Sequence, residues 1–395
     1  MNILILNSGS SSIKFQLIKM PEEEVICSGM ADRIGSQNST ITYNYGKEKL
    51  SEQLPIPTHE EGLERIGMIL LDPKTAAAND IGPIEVVGHR VVHGGSEFSG
   101  TVIIDDSVKK QIRNYIPMAP LHNPHNLIGI EIAQKLFPKS RQIAVFDTAF
   151  HQTMPKIAHQ YAIPETLYKD HGIRAYGFHG TSHAYVSKKA MEFAGSPNGK
   201  IISLHLGNGC SITAVKDGKS IDHSLGFAPS NGLIMGTRSG DIDHAIIFYL
   251  HRELGYELND IQTLLDKDSG MLGLTGFSDL REIEAAAGQG SMECQLALEM
   301  NAYRIKKYIG AYAAAMNGLD ILIFTAGIGE NSSLLRALVC KDMEFLGIRL
   351  SPDRNNADSN KIRSIDQGGS PVKILVVPTD EEIQIARQAY SACQK

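Results

Sequence analysis

Apolar residues fall in short runs that stop abruptly at small polar residues. Ile3-Leu4-Ile5-Leu6 is continuous, the pattern of a strand covered on both faces. It runs into Asn7-Ser-Gly-Ser-Ser-Ser-Ile-Lys14, and Ile13, Phe15 and Leu17 then alternate as a second strand. The design recurs in Ile201-Ile-Ser-Leu-His205-Leu-Gly207-Asn208-Gly209-Cys210-Ser-Ile-Thr-Ala-Val215, again strand, turn, strand. A third version, Ile321-Leu-Ile-Phe-Thr325-Ala-Gly327-Ile-Gly329-Glu330-Asn331, joins a strand to a glycine-rich turn and then a helical pattern over 332–345. Between these, residues 59–71 place Leu63, Ile66, Ile69 and Leu70 on one helical face. Residues 85–92 and 141–146 read as strands, with Asp147 at the carboxyl end of the latter, where open α/β sheets gather ligands. Helical patterns cover 241–254 and 293–316. In the second, Leu296, Met300, Tyr303, Tyr308 and Tyr312 read as core packing. Residues 372–377 make a last strand, and Thr379-Asp-Glu-Glu382 reads as a capping box opening a last helix. Residues 41–45 look like one hairpin arm inside a polar stretch, 35–58, that reads as an exposed excursion.

A turn of glycine, serine and lysine offers backbone N–H groups, hydroxyls and an ammonium to a small anion, which is phosphate chemistry. Three such junctions predict an α/β fold in which two facing domains hold a nucleotide. At 395 residues the chain exceeds one usual core, so two domains follow. Its halves rhyme, each opening on strand, turn, strand. Duplicated domains with phosphate hairpins facing across a cleft resemble the actin-like ATPase plan of sugar kinases and heat-shock chaperones. The boundaries expected are 1–148 plus 382–395, and 149–381. Hinges are expected near 146–151 and 378–382, closing on nucleotide.

A net charge of −6 and a pI near 6.2 argue against coating nucleic acid. Five cysteines without a CxxC pair suit a reducing compartment. The first apolar run is too short for a signal peptide, and no stretch approaches the ~18 residues a membrane helix needs. A soluble cytoplasmic protein is expected, with neither nucleic acid nor membrane as partner.

Familiar nucleotide motifs are missing. Gly195-Ser-Pro-Asn-Gly-Lys-Ile201 is one residue short of a Walker A loop and has isoleucine where a hydroxyl must hold magnesium. Gly327-x-Gly329 lacks the third glycine and the later acidic residue of a dinucleotide fingerprint. His179-Gly-Thr-Ser-His183 has no glutamate for a zincin, and Pro124 in His122-Asn-Pro-His125 breaks helical geometry, so zinc is not expected. His122 and Phe178-His179 instead set imidazoles beside apolar groups. Arg90 and Arg238 stand among glycines and small residues, where a guanidinium can meet a phosphoryl group bidentately. A buried structural ion pair is the other reading of each.

Taken together, Asn7 to Phe15, His122-Asn-Pro, Phe178-His179-Gly-Thr-Ser-His183, His205-Leu-Gly-Asn-Gly209, Gly236-Thr-Arg238-Ser-Gly-Asp241 and Thr325-Ala-Gly-Ile-Gly-Glu-Asn331 resemble the acetokinase family, in its acetate/propionate kinase branch, over nearly the whole chain. The resemblance implies ATP-dependent phosphorylation of acetate to acetyl phosphate, with Mg2+ (Mn2+ possible), on an actin-like homodimer. It implies that Arg90 and Arg238 clamp the transferring phosphoryl group, that His179 hydrogen-bonds its oxygens and that Asp147 lies beside it. Asn7 and Glu381 would organise the metal. Lys14, Ser10, Ser12, His205, Leu206, Gly207, Asn208 and Gly209 would line the phosphates. Asp279, Leu280 and Arg281 would approach the nucleotide, with Gly327, Ile328, Gly329, Glu330 and Asn331 around adenosine. The acetate would meet Val92, Leu121, His122, Phe178 and Pro229. Leu280 stands where the family sometimes has an aromatic, and Asp380 where asparagine is frequent.

The chemistry agrees. A carboxylate is ionised at neutral pH, so it needs no general base to attack phosphorus. The site must supply alignment and positive charge. Direct in-line attack is expected, with a covalent phosphoenzyme on an acidic residue as the alternative. The competing functions are propionate kinase and a non-catalytic ATP-driven switch.

Overall fold

Ile3, Leu4, Ile5 and Leu6, none more than 2% exposed, are the middle of a central strand. The computed structural model describes residues 1–9, 11–71, 82–120 and 122–394. Ser10 and Leu121, expected at the phosphates and the acyl group, lie outside them. The chain divides into two units, Met1–Phe150 with Asp380–Lys395, and His151–Thr379.

The first unit carries β1 (Asn2–Ser8), β2 (Ser12–Lys19), β3 (Glu24–Asp32), β4 (Thr40–Tyr45), β5 (Glu48–Gln53), β6 (Ile84–Val91), β7 (Val102–Ile103) and β8 (Arg141–Phe146). They form one sheet in the order β5-β4-β3-β2-β1-β6-β8-β7. Helices His59–Leu71, Asn123–Leu136 and Glu381–Cys393 pack on it. Leu63, Ile66 and Leu70 of the first are buried as their spacing requires. Gly88 in β6 lets the last helix close in: a β-carbon there would lie 3.1 Å from Ile385 Cγ2. The polar stretch expected as an excursion is instead sheet. Ile41 and Tyr43 alternate inward along β4, while β5 is wholly exposed and its charged, polar side chains blunt the sheet edge.

The second unit carries β9 (Lys200–Leu206), β10 (Cys210–Lys216), β11 (Lys219–His223), β12 (Ile321–Thr325), β13 (Arg363–Ser364) and β14 (Lys373–Val376), in the order β11-β10-β9-β12-β14-β13. The halves rhyme in topology. In β3-β2-β1-β6-β8 and in β11-β10-β9-β12-β14, two antiparallel junctions are followed by two parallel ones.

Four expectations need correction. The helix expected over 241–254 is Ala245–Arg252: Asp243 lies in the turn before it, its Oδ1 accepting from Ala245 N–H, and His244 is the cap residue. In the helix Met292–Met316, Leu296, Met300 and Tyr303 are 57%, 38% and 67% exposed, while its small residues Ala297 and Ala302 face the core. Residues after β12 form a short helix, Ala326–Asn331, rather than an open turn, and a second helix, Ser333–Cys340, begins at the Ser332 cap. The last helix is capped by Asp380, whose carboxylate accepts from Ile383 N–H, and not by Thr379.

Candidate active site

In the first unit, Arg90 near the end of β6 and Asp147 just past β8 meet because their strands are parallel neighbours. Arg90 Nη2 donates to Asp147 Oδ2 at 2.6 Å, and Nε lies 3.1 Å from both carboxylate oxygens. Nη1 donates to Asn7 Oδ1 at 3.2 Å, and Glu381 Oε2 is 4.0 Å from Nε. Burial alone would lower the Arg90 pKa, but Asp147 and then Glu381 outweigh it and raise it. The guanidinium is a fixed cation. Lys14 is not in the turn but in β2, exposed and directly opposite Asn7. Ser12 opens the same strand, its carbonyl accepting from Gly9 N–H.

Sequence reasoning missed the residues that hold the Arg90 neighbourhood. Asn126 accepts from Val92 N–H and donates to the Ser8 carbonyl, at 3.0 and 2.8 Å. Asn123 accepts from His93 N–H and donates to its carbonyl, both at 3.0 Å. Both belong to the helix Asn123–Leu136, which Pro124 opens rather than breaks, since its missing N–H falls among the unpaired donors of the first turn. His122 is the cap residue of that helix, and Val92 is buried. The only signal was the His-Asn-Pro run itself.

In the second unit the turn between β9 and β10 is tightly closed. Gly207 N–H donates to the Gly209 carbonyl at 3.1 Å, and the Cys210 thiol to the Gly207 carbonyl at 3.1 Å. Burial pushes that thiol up to about 11, so it stays protonated. Gly236 N–H donates to the Asn208 carbonyl at 2.9 Å, tying the Arg238 loop to the turn. Asp241 pins the loop's far side. It accepts from Gly232 N–H at 2.7 Å and from the Tyr308 hydroxyl at 2.7 Å, while Arg304 donates to the Gly232 carbonyl. Arg238 Nη1 donates to the Pro229 carbonyl at 2.8 Å. Burial lowers the Arg238 pKa, with Asp266 opposing. A β-carbon on Gly209 would lie 3.7 Å from His179 Nε2 and 3.8 Å from Arg238 Nη1, so both side chains converge on this glycine. His179 caps the helix Gly180–Ala194 in left-handed backbone, φ 54°, and stacks on His205 at 4.3 Å. Phe178 beside it is fully buried.

A cavity of about 560 Å3 opens next to this turn. Gly207, Asn208, Asp279, Leu280, Arg281, Gly327, Ile328 and Asn331 line it, uniting three distant segments of the chain. Ser278, Glu284 and Ser332 also line it and were missed. Glu284 follows Arg281 at i+3 on one helix face, which is a readable signal, and its carboxylate accepts from Ser332 Oγ. Arg281 Nη2 meets Asp279 Oδ2 at 2.5 Å, and this bond holds the Asp279 carboxyl down at about 2. Leu206, Gly329 and Glu330 do not line the cavity. Leu206 is buried in the sheet, Gly329 packs inside its short helix, and Glu330 turns inward to accept from Thr379 N–H at 3.1 Å.

Among the described residues no group of three or more His, Cys, Asp or Glu side chains could hold a metal ion. Asn7 and Glu381 are hard oxygen donors near Arg90. Two such donors suit a magnesium ion whose remaining ligands are phosphate oxygens and water.

A strand-end arginine, a loop arginine, a glycine turn in each repeat and a nucleotide-sized cavity define a phosphotransferase of the actin-like ATPase class. A family model described as the Acetokinase family matches residues 2–387, and the chain belongs to that family. It is 57% identical over 390 residues to an acetate kinase of Flavobacterium johnsoniae, covering 99% of each. The structure matches acetate kinase of Porphyromonas gingivalis with a TM-score of 0.92 at 45% identity, covering 99% of each chain. It matches a propionate kinase of Francisella tularensis with a TM-score of 0.93 at 41% identity, again over 99% of each. The activity is that of a phosphotransferase with a carboxyl group as acceptor.

Proposed function

We propose that this chain phosphorylates acetate from ATP by direct in-line attack. The carrying observation is the convergence of His179 Nε2 and Arg238 Nη1 at Gly209, in the turn whose Gly207 and Asn208 line the cavity. The cavity takes the nucleoside, the turn offers main-chain N–H groups to its phosphates, and Arg238 and His179 meet the group in transfer. Arg90, held by Asp147, opposes the charge that gathers as two anions approach. Asn7 and Glu381 would hold magnesium, which supplies further charge neutralisation on the phosphates. As the family resemblance implies, Val92, His122, Phe178 and Pro229 would meet the acyl group.

Two finer readings belong here. A homodimer is supported by the uncovered stripe Met292, Leu296, Met300 and Tyr303 on the helix Met292–Met316. A cytoplasmic location is supported by five cysteines that are all free. No helix among the described residues is long and apolar enough to cross a membrane.

The likeness to a propionate kinase favours a second reading, a longer acid as substrate. Hydroxylamine trapping of acyl phosphate with ATP and acetate, propionate or butyrate separates them. An extra methylene against Val92 costs ~1–3 kcal/mol by overpacking, so acetate leads propionate by roughly 10–100-fold in kcat/KM. Equal use of both acids favours the second reading. No acyl phosphate from any acid overturns both.

A further inference from the structure

Behind His179 stands a group of buried histidines to which phosphoryl transfer itself assigns no task. His151 and His223 lie with centroids 4.1 Å apart and planes tilted by 42°, and His183 meets their edges at 5.9 and 5.4 Å. Burial takes the His151 pKa down to about 4 and holds those of His183 and His223 well below the ordinary value. All three rings are therefore neutral near pH 7, with one N–H each, and their partners show where it sits. Phe178 N–H donates to His223 Nε2 at 3.1 Å, so His223 carries its proton on Nδ1 and donates to Thr213 Oγ1 at 2.6 Å. The Phe178 carbonyl accepts from His151 Nε2 at 2.9 Å, so His151 Nδ1 accepts from Ser220 Oγ at 2.8 Å. Two rings of opposite tautomer hold both main-chain polar groups of Phe178.

The chain passes from this clamp straight into His179, whose positive φ is unfavourable for a residue with a side chain. Gly177 on the other side has φ 77°, and a β-carbon there would sit 2.5 Å from His151 Cγ, so only glycine admits the ring. His179 Nδ1 and His183 Nε2 share one hydroxyl, Ser211 Oγ, at 2.9 and 2.8 Å. His183 Nδ1 in turn meets Ser203 Oγ at 3.0 Å. One hydroxyl proton serves two ring nitrogens. When His183 Nε2–H donates to Ser211, Ser211 donates to His179 Nδ1. A neutral His179 then carries its proton on Nε2, the atom beside Gly209 and Arg238.

We propose that His151, His223 and Ser211 are positioning residues for His179. The histidine pair fixes the backbone that turns into it, and Ser211, backed by His183, orients its ring and sets its tautomer so that Nε2–H faces the phosphoryl group. This rests on His179 acting on that group. The test is a double-mutant cycle read in kcat and KM, with melting temperatures for each protein. Ser211→Ala should lower kcat about 10–100-fold, with KM for ATP and acetate within about threefold of wild type. In a His179→Ala background the same substitution should change kcat less than about twofold. His223→Ala, which takes the acceptor from Phe178 N–H, should lower kcat about 10-fold. His223→Gln, whose amide oxygen can still accept that N–H, should bring it back to within about threefold of wild type. Wild-type kcat in His223→Ala overturns its role. Equal losses from Ser211→Ala in both backgrounds, or wild-type kcat in Ser211→Ala, overturn the inference. So does a loss in His223→Gln as large as in His179→Ala. Wild-type kcat in His179→Ala alone would instead remove the role of His179 itself.

Discussion

Arg90 grips Asp147 side-on: Nη2 lies 2.6 Å from Oδ2 while Nε bridges both oxygens at 3.1 Å. Both carboxylate oxygens are engaged and the side chain is only 1% exposed. A carboxylate so occupied is a poor nucleophile toward phosphorus, which argues for direct transfer over a phosphoenzyme at Asp147. Its work is to aim the guanidinium.

Arg90→Ala should therefore cut kcat by roughly 10³–10⁵, the range for arginines that stabilise transferring phosphoryl groups. Asp147→Asn keeps the shape and loses the charge-assisted bond, and should cost about 10–100-fold. Steady-state kcat, with melting temperatures to separate misfolding, checks both. Wild-type turnover in Arg90→Ala would refute the clamp.

Gly209→Ala places a methyl group at ordinary contact distance from His179 and Arg238, so the fold has room for it. The methyl fills the point where the two side chains converge. Turnover should fall about 10-fold or more, the order by which misplacement of reacting groups costs rate. Melting temperature should stay within a few degrees. Unchanged kcat would show that the transferring group lies elsewhere.

Arg281 is largely exposed and reaches the cavity from the rim. Arg281→Ala should raise KM for ATP about 3–10-fold and leave kcat at saturating ATP near wild type, because the contact is made equally before and during transfer. A fall in kcat with unchanged KM would place Arg281 at the reacting end instead.

Acid should destabilise the fold early. Burial takes His89, His93 and His151 down to about 4 and holds His183 and His223 well below 6.5. Below pH ~6.5 the unfolded chain binds protons that the folded chain refuses, so stability falls as pH falls. Each such histidine contributes a slope approaching ~1.4 kcal/mol per pH unit, ending near its folded pKa. Asp222, raised to about 6 by burial, pulls the opposite way, but only below that pH. Urea midpoints between pH 7.5 and 5 test this. They should drop from pH 6.5 downward, and His89→Gln should flatten the slope. A level midpoint would contradict it.

Leu296→Glu should yield a monomer in light scattering if the exposed stripe is the dimer face, since a charge there cannot be buried unpaired. An unchanged dimer would move the interface elsewhere.

Much of this was readable wherever one short segment supplied its own explanation. The continuous run Ile3 to Leu6 could only be a covered strand, and Arg90 stood out because small residues surround it. The cavity's glycine and aspartate segments carried their own chemistry. What stayed hidden depends on partners distant in sequence. Nothing local shows that Asn126 will bridge Val92 to Ser8, or that Asp241 will serve the Arg238 loop through Tyr308 rather than begin a helix. Helical spacing found the stripe of Leu296, Met300 and Tyr303 but could not tell inward from outward, because periodicity carries no sign.

The helix Glu381–Cys393 packs in the first unit, against Gly88 and beside Arg90, although the whole second unit separates it from them in sequence. During synthesis, residues 151–379 leave the ribosome as one unbroken piece and can fold at once. The strands made first must wait for a helix made hundreds of residues later. Until it arrives, β6 has an uncovered apolar face and Arg90 lacks Glu381. Strands made well before residues 151–379 are thus among the last parts of this chain to become native.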